Sequence, residues 1–180
     1  MLQKIFQGAK EIIIIFGLAL LISLLVKGFL VDNRMIPTSS MVPTVPVNSR
    51  ILVNRIGYYI GEPQFQDIVL FEPTASIAED VGLGEDMLKR VIGMPGDEIY
   101  ITGGVLYLNG EALDEPYISA PMNYDFGPVK VPEGCVLLLG DNRNYSFDAH
   151  LWKDPFVPIE NVKGKAFFIY WPMAEFGALN

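Results

Sequence analysis

The sequence contains a single cysteine and a single histidine, and this scarcity excludes several kinds of site. Cys135 has no partner for an internal disulfide and cannot join a metal site with several cysteine ligands. Its apolar neighbours in 135–139 indicate a thiol buried in a strand. A zinc site that used His150 would have to be completed almost wholly by carboxylates, which is unusual for zinc. The sequence therefore predicts no metal site.

Basic residues are also few. The 180 residues include 13 Lys and Arg against 21 Asp and Glu, which gives a net charge of −8 and a pI of about 4.6. Proteins that bind nucleic acid usually carry a basic surface, so this balance argues against nucleic acid as a partner. Beyond the apolar N-terminal segment about 150 residues remain. That length is enough for one compact domain with a sizeable core.

The long apolar run lies near the N-terminus, at 12–26. A helix of about 15 residues covers only ~22 Å, whereas the hydrocarbon core of a bilayer is ~30 Å thick. Extension to Val31 reaches ~30 Å but includes Lys27, whose stem could extend to the interface. We therefore predict a single transmembrane helix over 11–31.

The predicted topology places the short tail, 1–10, in the cytoplasm, because its lysines favour the cytoplasmic side. The remainder, 32–180, is then an extracytoplasmic domain of a single-pass protein of the cell membrane. An internal membrane such as a thylakoid remains open. A cleaved signal peptide is the alternative, but no small-x-small cleavage site follows the apolar run.

The rest of the chain is predicted to be mainly β. Apolar segments bounded by turn residues indicate strands at 51–53, 67–71, 98–101, 131–139 and 166–171. Asn109-Gly110 between apolar flanks is typical of a hairpin turn, while 73–85 is predicted to be a loop. The expected fold is a folded-over antiparallel β-sheet or partial barrel, with about 103–130 as a hairpin excursion.

One stretch, 37–44, concentrates hydroxyl groups among prolines. Pro37 and Pro43 fix φ and favour extended geometry in the residues before them, so the stretch should be stiff and irregular. A stiff backbone can aim a nucleophilic side chain, which makes Ser40 a candidate nucleophile. The alternative is an ordinary Ser/Thr/Pro linker between an anchor and a domain.

A serine nucleophile needs a base, and the sequence offers two candidates. His150, two residues after Asp148, would complete a Ser40/His150/Asp148 triad. Lys89 could act instead if burial among apolar neighbours lowered its pKa enough to make it neutral. In the competing interpretation, Lys89 and Arg90 are two solvent-facing cations.

Three segments in order carry a family resemblance. Residues 37–44 resemble the serine box of the type I signal peptidases, with Thr38 as one substitution. Residues 89–97 match the lysine box of that family at every specified position, and 140–148 resemble its last box. The chain is thus identified as similar to these membrane enzymes, which remove signal peptides from exported proteins.

The resemblance implies a role for each matching residue. Ser40 corresponds to the nucleophile and Lys89 to the general base. Ser146 corresponds to the serine that orients the lysine amine. Thr38 corresponds to the hydroxyl that binds the oxyanion together with the amide of Ser40, although its β-branched side chain is stiffer than serine.

In the family, the last box often continues as Asp-Ser-Arg, and the Asp and Arg of that sequence form a salt bridge. This chain departs from the family at that point. Asp148-Ala149-His150 stands there instead, and we expect Asp148 and His150 to support the site structurally. Such a pair is fully charged only when the histidine is protonated.

The implied function is a membrane-anchored serine endopeptidase that cleaves signal peptides of preproteins after small residues, typically Ala-x-Ala, without a cofactor. The predicted walls of its shallow apolar pockets are Ile36, Val45, Ile51 and Leu88. The implied partners are signal peptides and the lipid bilayer. Two alternatives remain: a self-cleaving repressor-type Ser/Lys protease, which would carry a DNA-binding region, and a non-catalytic membrane-tethered β domain.

Overall fold

The structure is a computed structural model that describes residues 2–25, 31–82 and 84–179. The α-helices of this part of the chain are α1 (Leu2–Leu25), α2 (Gly57–Ile60) and α3 (Ala75–Val81). The strands are β1 (Val31–Ile36), β2 (Ser49–Asn54), β3 (Ile68–Phe71), β4 (Met87–Gly93), β5 (Glu98–Thr102), β6 (Val105–Leu108), β7 (Glu111–Ala112), β8 (Phe126–Lys130), β9 (Cys135–Leu139), β10 (Phe156–Pro158), β11 (Val162–Trp171) and β12 (Gly177–Ala178).

The strands form two antiparallel sheets. The larger sheet has the order β1-β2-β11-β3-β4-β9-β10, with β12 paired to β11. The smaller sheet has the order β7-β6-β5-β8 and is built from the chain between β4 and β9. The prediction of a mainly β fold with antiparallel sheets is confirmed.

Side chains alternate across β3 between two hydrophobic clusters. Val69 and Phe71 belong to one cluster, and Ile68 and Leu70 belong to the other. This division follows from the period of two in a strand, and all four residues of β3 are buried. Each fully buried aliphatic side chain contributes roughly 1.5–3 kcal/mol. The centre of the larger sheet is therefore a firm support for the strand next to it, β4.

The prediction of a transmembrane helix over 11–31 is wrong. Within the described ranges, no helix is both long enough and apolar enough to cross a membrane. The helix α1 begins at Leu2 and ends at Leu25, so it takes in charged residues that the prediction placed in a tail. Val31, predicted as the last residue of the span, is already the first residue of β1 and pairs with Asn54.

The segment 73–85, predicted to be a loop, contains the helix α3. Thr74 caps its N-terminus, where the hydroxyl accepts a hydrogen bond from the Ile77 N–H at 3.3 Å. Gly82 ends it in a left-handed conformation, with φ of 69°. Both capping signals are present in the sequence, but a helix of this length shows too little periodicity to reveal itself.

Candidate active site

Ser40 lies in the connection between β1 and β2, and hydrogen bonds of the backbone make this connection compact. The Val42 N–H donates to the Ser39 carbonyl at 3.1 Å, and the Val45 N–H donates to the Met41 carbonyl at 2.8 Å. The side chains of Met41 and Val45 are fully buried. Because it is anchored in the core in this way, the segment is not an ordinary linker. It holds the Ser40 hydroxyl in a set direction.

A second loop, 140–150, is attached directly to the connection 37–48, which is called the serine segment here. The Asn142 N–H donates to the Ser40 carbonyl at 3.0 Å, and the Asn142 side-chain amide donates to the Ser39 carbonyl at 3.0 Å. Gly140 allows the close approach: a Cβ there would lie 2.4 Å from the Ser40 carbonyl oxygen and 2.2 Å from the Ser146 Oγ. Any larger residue at 140 would therefore push the two segments apart.

Lys89 lies on β4 between β3 and β9, and it is almost completely buried. It is opposite Val69 on β3, and only 3% of its surface is exposed. Burial disfavours the ammonium form and lowers the pKa of Lys89 from 10.5 to about 8, although the carboxylates of Asp148 and Asp141 act to raise it. A large fraction of this amine is consequently neutral near pH 8.

Arg90 is also buried, so the interpretation of Lys89 and Arg90 as two solvent-facing cations is wrong. Its guanidinium makes a bidentate ion pair with Asp141, with N–O distances of 2.8 and 2.7 Å. It also donates to the Gln66 carbonyl at 2.9 Å. The Thr44 hydroxyl donates to the same Asp141 carboxylate at 2.5 Å. This ion pair thus joins β4, the serine segment and loop 140–150.

The two remaining hydroxyl groups of the predicted site, those of Thr38 and Ser146, differ in their exposure to solvent. The Thr38 Oγ1 is 3.3 Å from the Ser40 Oγ, and Thr38 is exposed. Ser146 is buried, with 2% of its surface exposed, beside Gly140. Its hydroxyl has no hydrogen-bond partner among the described residues. A buried hydroxyl without a partner is costly, so it is a group that we expect to engage a functional partner.

His150 is directed towards Asp148. Its Nδ1 is 2.7 Å from the Asp148 Oδ1, and its ring stacks on Tyr124 at a centroid distance of 3.8 Å. The Asp148 Oδ2 accepts a hydrogen bond from the Gly140 N–H at 2.8 Å. The histidine is therefore engaged in holding loop 140–150, and it is not among the described residues that line the cleft containing Ser40.

A cleft of about 760 Å³ contains Thr38, Ser40 and Lys89. Of the predicted pocket residues, Ile36 and Leu88 line it. Val45 and Ile51 have no exposed surface and lie in the same hydrophobic cluster as those two. The other lining residues are Arg34, Met35, Pro37, Ser39, Leu70, Gly84, Glu85, Asp86, Met87, Tyr145 and Phe147.

Sequence reasoning missed the charged end of this cleft. Arg34 on β1 pairs with Asp86 at 3.0 Å, and Asp86 also pairs with Lys163 at 2.7 Å. These residues are far apart in the chain, and no local pattern joins them. Asp141, by contrast, lies within the last of the three family boxes and directly after an apolar strand. A charged residue in that position could have indicated a buried ion pair.

Comparisons with known proteins show the family to which this chain belongs. The family model described as signal peptidase, peptidase S26, matches residues 9–171. A signal peptidase I of Leptolyngbya laminosa is 40% identical over 98% of this chain and 85% of that protein. A probable signal peptidase I-2 of Synechocystis sp. is 42% identical over 89% of the chain and 72% of that protein. A crystal structure of a signal peptidase I from Enterococcus faecalis V583 matches 58% of the chain and 97% of its own length, at 30% identity and a TM-score of 0.48. The chain belongs to the signal peptidase family, peptidase S26, and is a serine peptidase, that is, a hydrolase.

Proposed function

We propose that this protein is a serine endopeptidase that removes N-terminal signal peptides from exported preproteins by a Ser/Lys mechanism. The observation that carries the proposal is that Ser40 and Lys89 line one cleft, with the lysine buried and its pKa lowered to about 8. A neutral amine and a constrained hydroxyl in one cleft are the two groups that acyl transfer requires.

In the first step, the neutral Lys89 amine takes the proton of the Ser40 hydroxyl while the Ser40 oxygen attacks the scissile carbonyl carbon. The tetrahedral intermediate collapses as the C–N bond breaks, and the resulting ammonium gives its proton to the leaving amine. Water then attacks the ester with Lys89 again as base. This step releases the cleaved signal peptide and regenerates the serine.

The negative charge that develops on the carbonyl oxygen needs donors. Thr38, whose Oγ1 is 3.3 Å from the Ser40 Oγ, is positioned to donate a hydrogen bond there, together with the Ser40 amide. We assign Ser146 the role of orienting the lysine amine, because its buried hydroxyl has no hydrogen-bond partner in the described structure. Donors of this kind act mainly on the transition state, so their loss should reduce kcat more than it raises KM.

The apolar walls of the cleft support a preference for small residues before the scissile bond, in the pattern Ala-x-Ala. Ile36 and Leu88 are both buried and stand beside the reactive groups. Both belong to the same core cluster, so they cannot move aside for a large side chain without disturbing that packing.

We propose residues 32–180 as the protease domain, with an excursion over about 103–130, and an extracytoplasmic location for it. Exposed apolar side chains at the cleft, namely Met35, Tyr145 and Phe147, support contact with apolar substrate segments or with lipid.

The pH dependence of cleavage tests the mechanism. Lys89 acts as base only when neutral, and the neutral fraction rises as pH increases through its pKa of about 8. We therefore expect kcat/KM on a preprotein to rise through a single ionisation near pH 8 and to level off by about pH 9. Initial rates measured from pH 6 to 10.5 with the full chain would test this. Activity that appears only above pH 10 would contradict the proposed base.

The role of His150 provides a second test. Replacement of His150 by alanine should leave most of the kcat, because its ring lies against Asp148 and Tyr124 and does not line the cleft. The matched control is Tyr124→Leu, which removes the stacking partner and leaves the histidine in place. If His150→Ala folds normally but loses activity as completely as Ser40→Ala, the triad would replace the Ser/Lys mechanism.

A further inference from the structure

One segment of the smaller sheet leaves that sheet and lies against loop 140–150. This segment, residues 115–124, connects β7 to β8 and is here called the bridging segment. The Asn123 N–H donates to the Asn144 side-chain carbonyl at 2.8 Å, and the Asn144 amide donates to the Pro121 carbonyl at 2.9 Å. Tyr124 stacks on His150. These contacts attach the bridging segment to loop 140–150.

The strongest contact is a buried ion pair. Arg143 of loop 140–150 donates to both carboxylate oxygens of Glu115 at 2.7 and 2.5 Å, and both side chains are almost fully buried. The same guanidinium donates to the Gly140 carbonyl at 3.1 Å. Arg143 therefore connects the bridging segment to the glycine that separates Ser40 from Ser146. A bidentate pair of this kind defines orientation as well as distance.

The ring of Tyr117 lies near both buried arginines. The Cζ of Arg90 is 4.0 Å from its ring centroid, and the Cζ of Arg143 is 5.9 Å from it. The Tyr117 hydroxyl donates to Glu115 at 2.8 Å. Burial and the nearby Glu115 raise the pKa of Tyr117, so the ring stays neutral and remains a donor. One aromatic ring thus contacts the cations of both ion pairs at the site.

We propose that Tyr117 is a positioning residue, which holds Arg90 and Arg143 so that the neighbouring Lys89 and loop 140–150 keep their productive arrangement. This inference rests on the proposed function, in which Lys89 is the base. Under this proposal the connection between β7 and β8 contributes to the reaction indirectly. The smaller sheet itself contributes none of the described residues that line the cleft.

The physical route runs through the charges around the base. Arg90, adjacent to Lys89, neutralises Asp141, and Asp141 is one of the two carboxylates that act to raise the pKa of Lys89. Glu115 neutralises Arg143, the second cation near the ring. Without the Tyr117 ring, Arg90 would be less tightly held and water would reach the buried strand. Both changes favour the ammonium form and raise the pKa of the base.

The test uses the full chain with three variants. Tyr117→Leu removes the ring, and Tyr117→Phe keeps the ring but removes the hydroxyl. Tyr100→Leu is the matched control, because Tyr100 stacks on Tyr107 in the smaller sheet at 4.7 Å, away from loop 140–150. Rates on a preprotein are expressed per folded molecule, with the folded fraction of each variant taken from its urea unfolding curve.

We expect Tyr117→Leu to lower kcat/KM at pH 8 by about fivefold, leave KM within about twofold, and move the midpoint of the pH profile upward by about one unit. Tyr117→Phe and Tyr100→Leu should both have the same midpoint as the protein without substitutions. A role in packing alone would reduce the amount of active protein without moving that midpoint.

A Tyr117→Leu profile that coincides with the Tyr100→Leu profile in kcat/KM and midpoint would overturn the inference. If Tyr117→Leu does not fold, Tyr117→Met fills the same space with a flexible side chain that has no ring, and the same criteria apply to it. Ser40→Ala, measured in parallel, separates the two levels of the argument. Activity in Ser40→Ala would refute the proposed function, whereas an inactive Ser40→Ala with an unshifted Tyr117→Leu would refute only the role of Tyr117.

Discussion

Ser40→Ala and Lys89→Met are each expected to lower kcat for preprotein cleavage by at least about a thousandfold, because each removes one of the two groups that act together. Methionine is chosen at 89 because it fills a site of which only 3% is exposed. Cleavage would be followed by the appearance of the mature protein under single-turnover conditions. The double variant should be little worse than either single variant, since groups that act as a unit are not additive.

The controls use neighbouring groups of the same chemistry. Ser39→Ala removes an exposed hydroxyl next to the nucleophile but leaves the Ser39 carbonyl that accepts from Asn142. Lys153→Met removes a largely exposed lysine that pairs with Asp80. Both should retain at least about half of the rate. A Lys89→Met variant with near-normal turnover would exclude Lys89 as the base and return attention to His150.

Lys89→Met should also leave the protein folded. The pKa of Lys89 is lowered on folding from 10.5 to about 8, so the unfolded chain binds more protons between these values. The contribution of Lys89 to the free energy of unfolding is therefore lowest below about pH 8 and rises towards pH 10.5. Loss of activity in Lys89→Met at pH 7 would thus not be the consequence of a destabilised domain.

The second large effect concerns stability. Asp141→Asn is expected to lower the free energy of unfolding by about 3–5 kcal/mol, because it leaves the Arg90 guanidinium buried without its counter-charge. Arg90 and Asp141 are 1% and 0% exposed, so solvent cannot compensate. The Thr44 hydroxyl would also lose its charged acceptor. The shift in urea midpoint, with the slope of the transition unchanged, would measure this loss.

An exposed ion pair is the control for Asp141→Asn. Asp32 pairs with Arg34 at 2.9 Å, and both side chains are partly exposed to solvent. Asp32→Asn should therefore cost no more than about 1 kcal/mol. If Asp141→Asn were equally mild, the ion pair would not be the joint between β4 and loop 140–150 that its geometry indicates.

Much of the local structure was predictable because short-range chemistry dictates it. The Asn109-Gly110 hairpin formed as predicted, with φ of 54° and 86° at the two residues and with Leu108 opposite Glu111. These positive φ values are open to Asn and Gly at low cost. The strand predictions around 51–53 and 67–71 succeeded for a similar reason, because apolar residues flanked by turn signals have few other ways to be buried.

Prediction failed where the decisive factor was competition between elements. The apolar run near the N-terminus was extended to Val31 to reach the thickness of a bilayer, but β1 begins there because its residues pair with β2. At 75–81 a loop was predicted but a helix is found, because two capping residues stabilise a helix that is too short to show periodicity. Local patterns therefore do not set the borders where a neighbouring strand or cap competes for the same residues.

The sequence by itself determined the candidate chemistry: the order of the three boxes, a serine on a stiff segment and a lysine among apolar residues. It did not determine whether that lysine could be a base. The pKa of Lys89 depends on desolvation by β3 and β9 and on the charges of Asp148 and Asp141. These groups are distant in sequence, and only the tertiary structure brings them together. The same is true of Tyr117, which contacts both arginines only once the bridging segment has packed against loop 140–150.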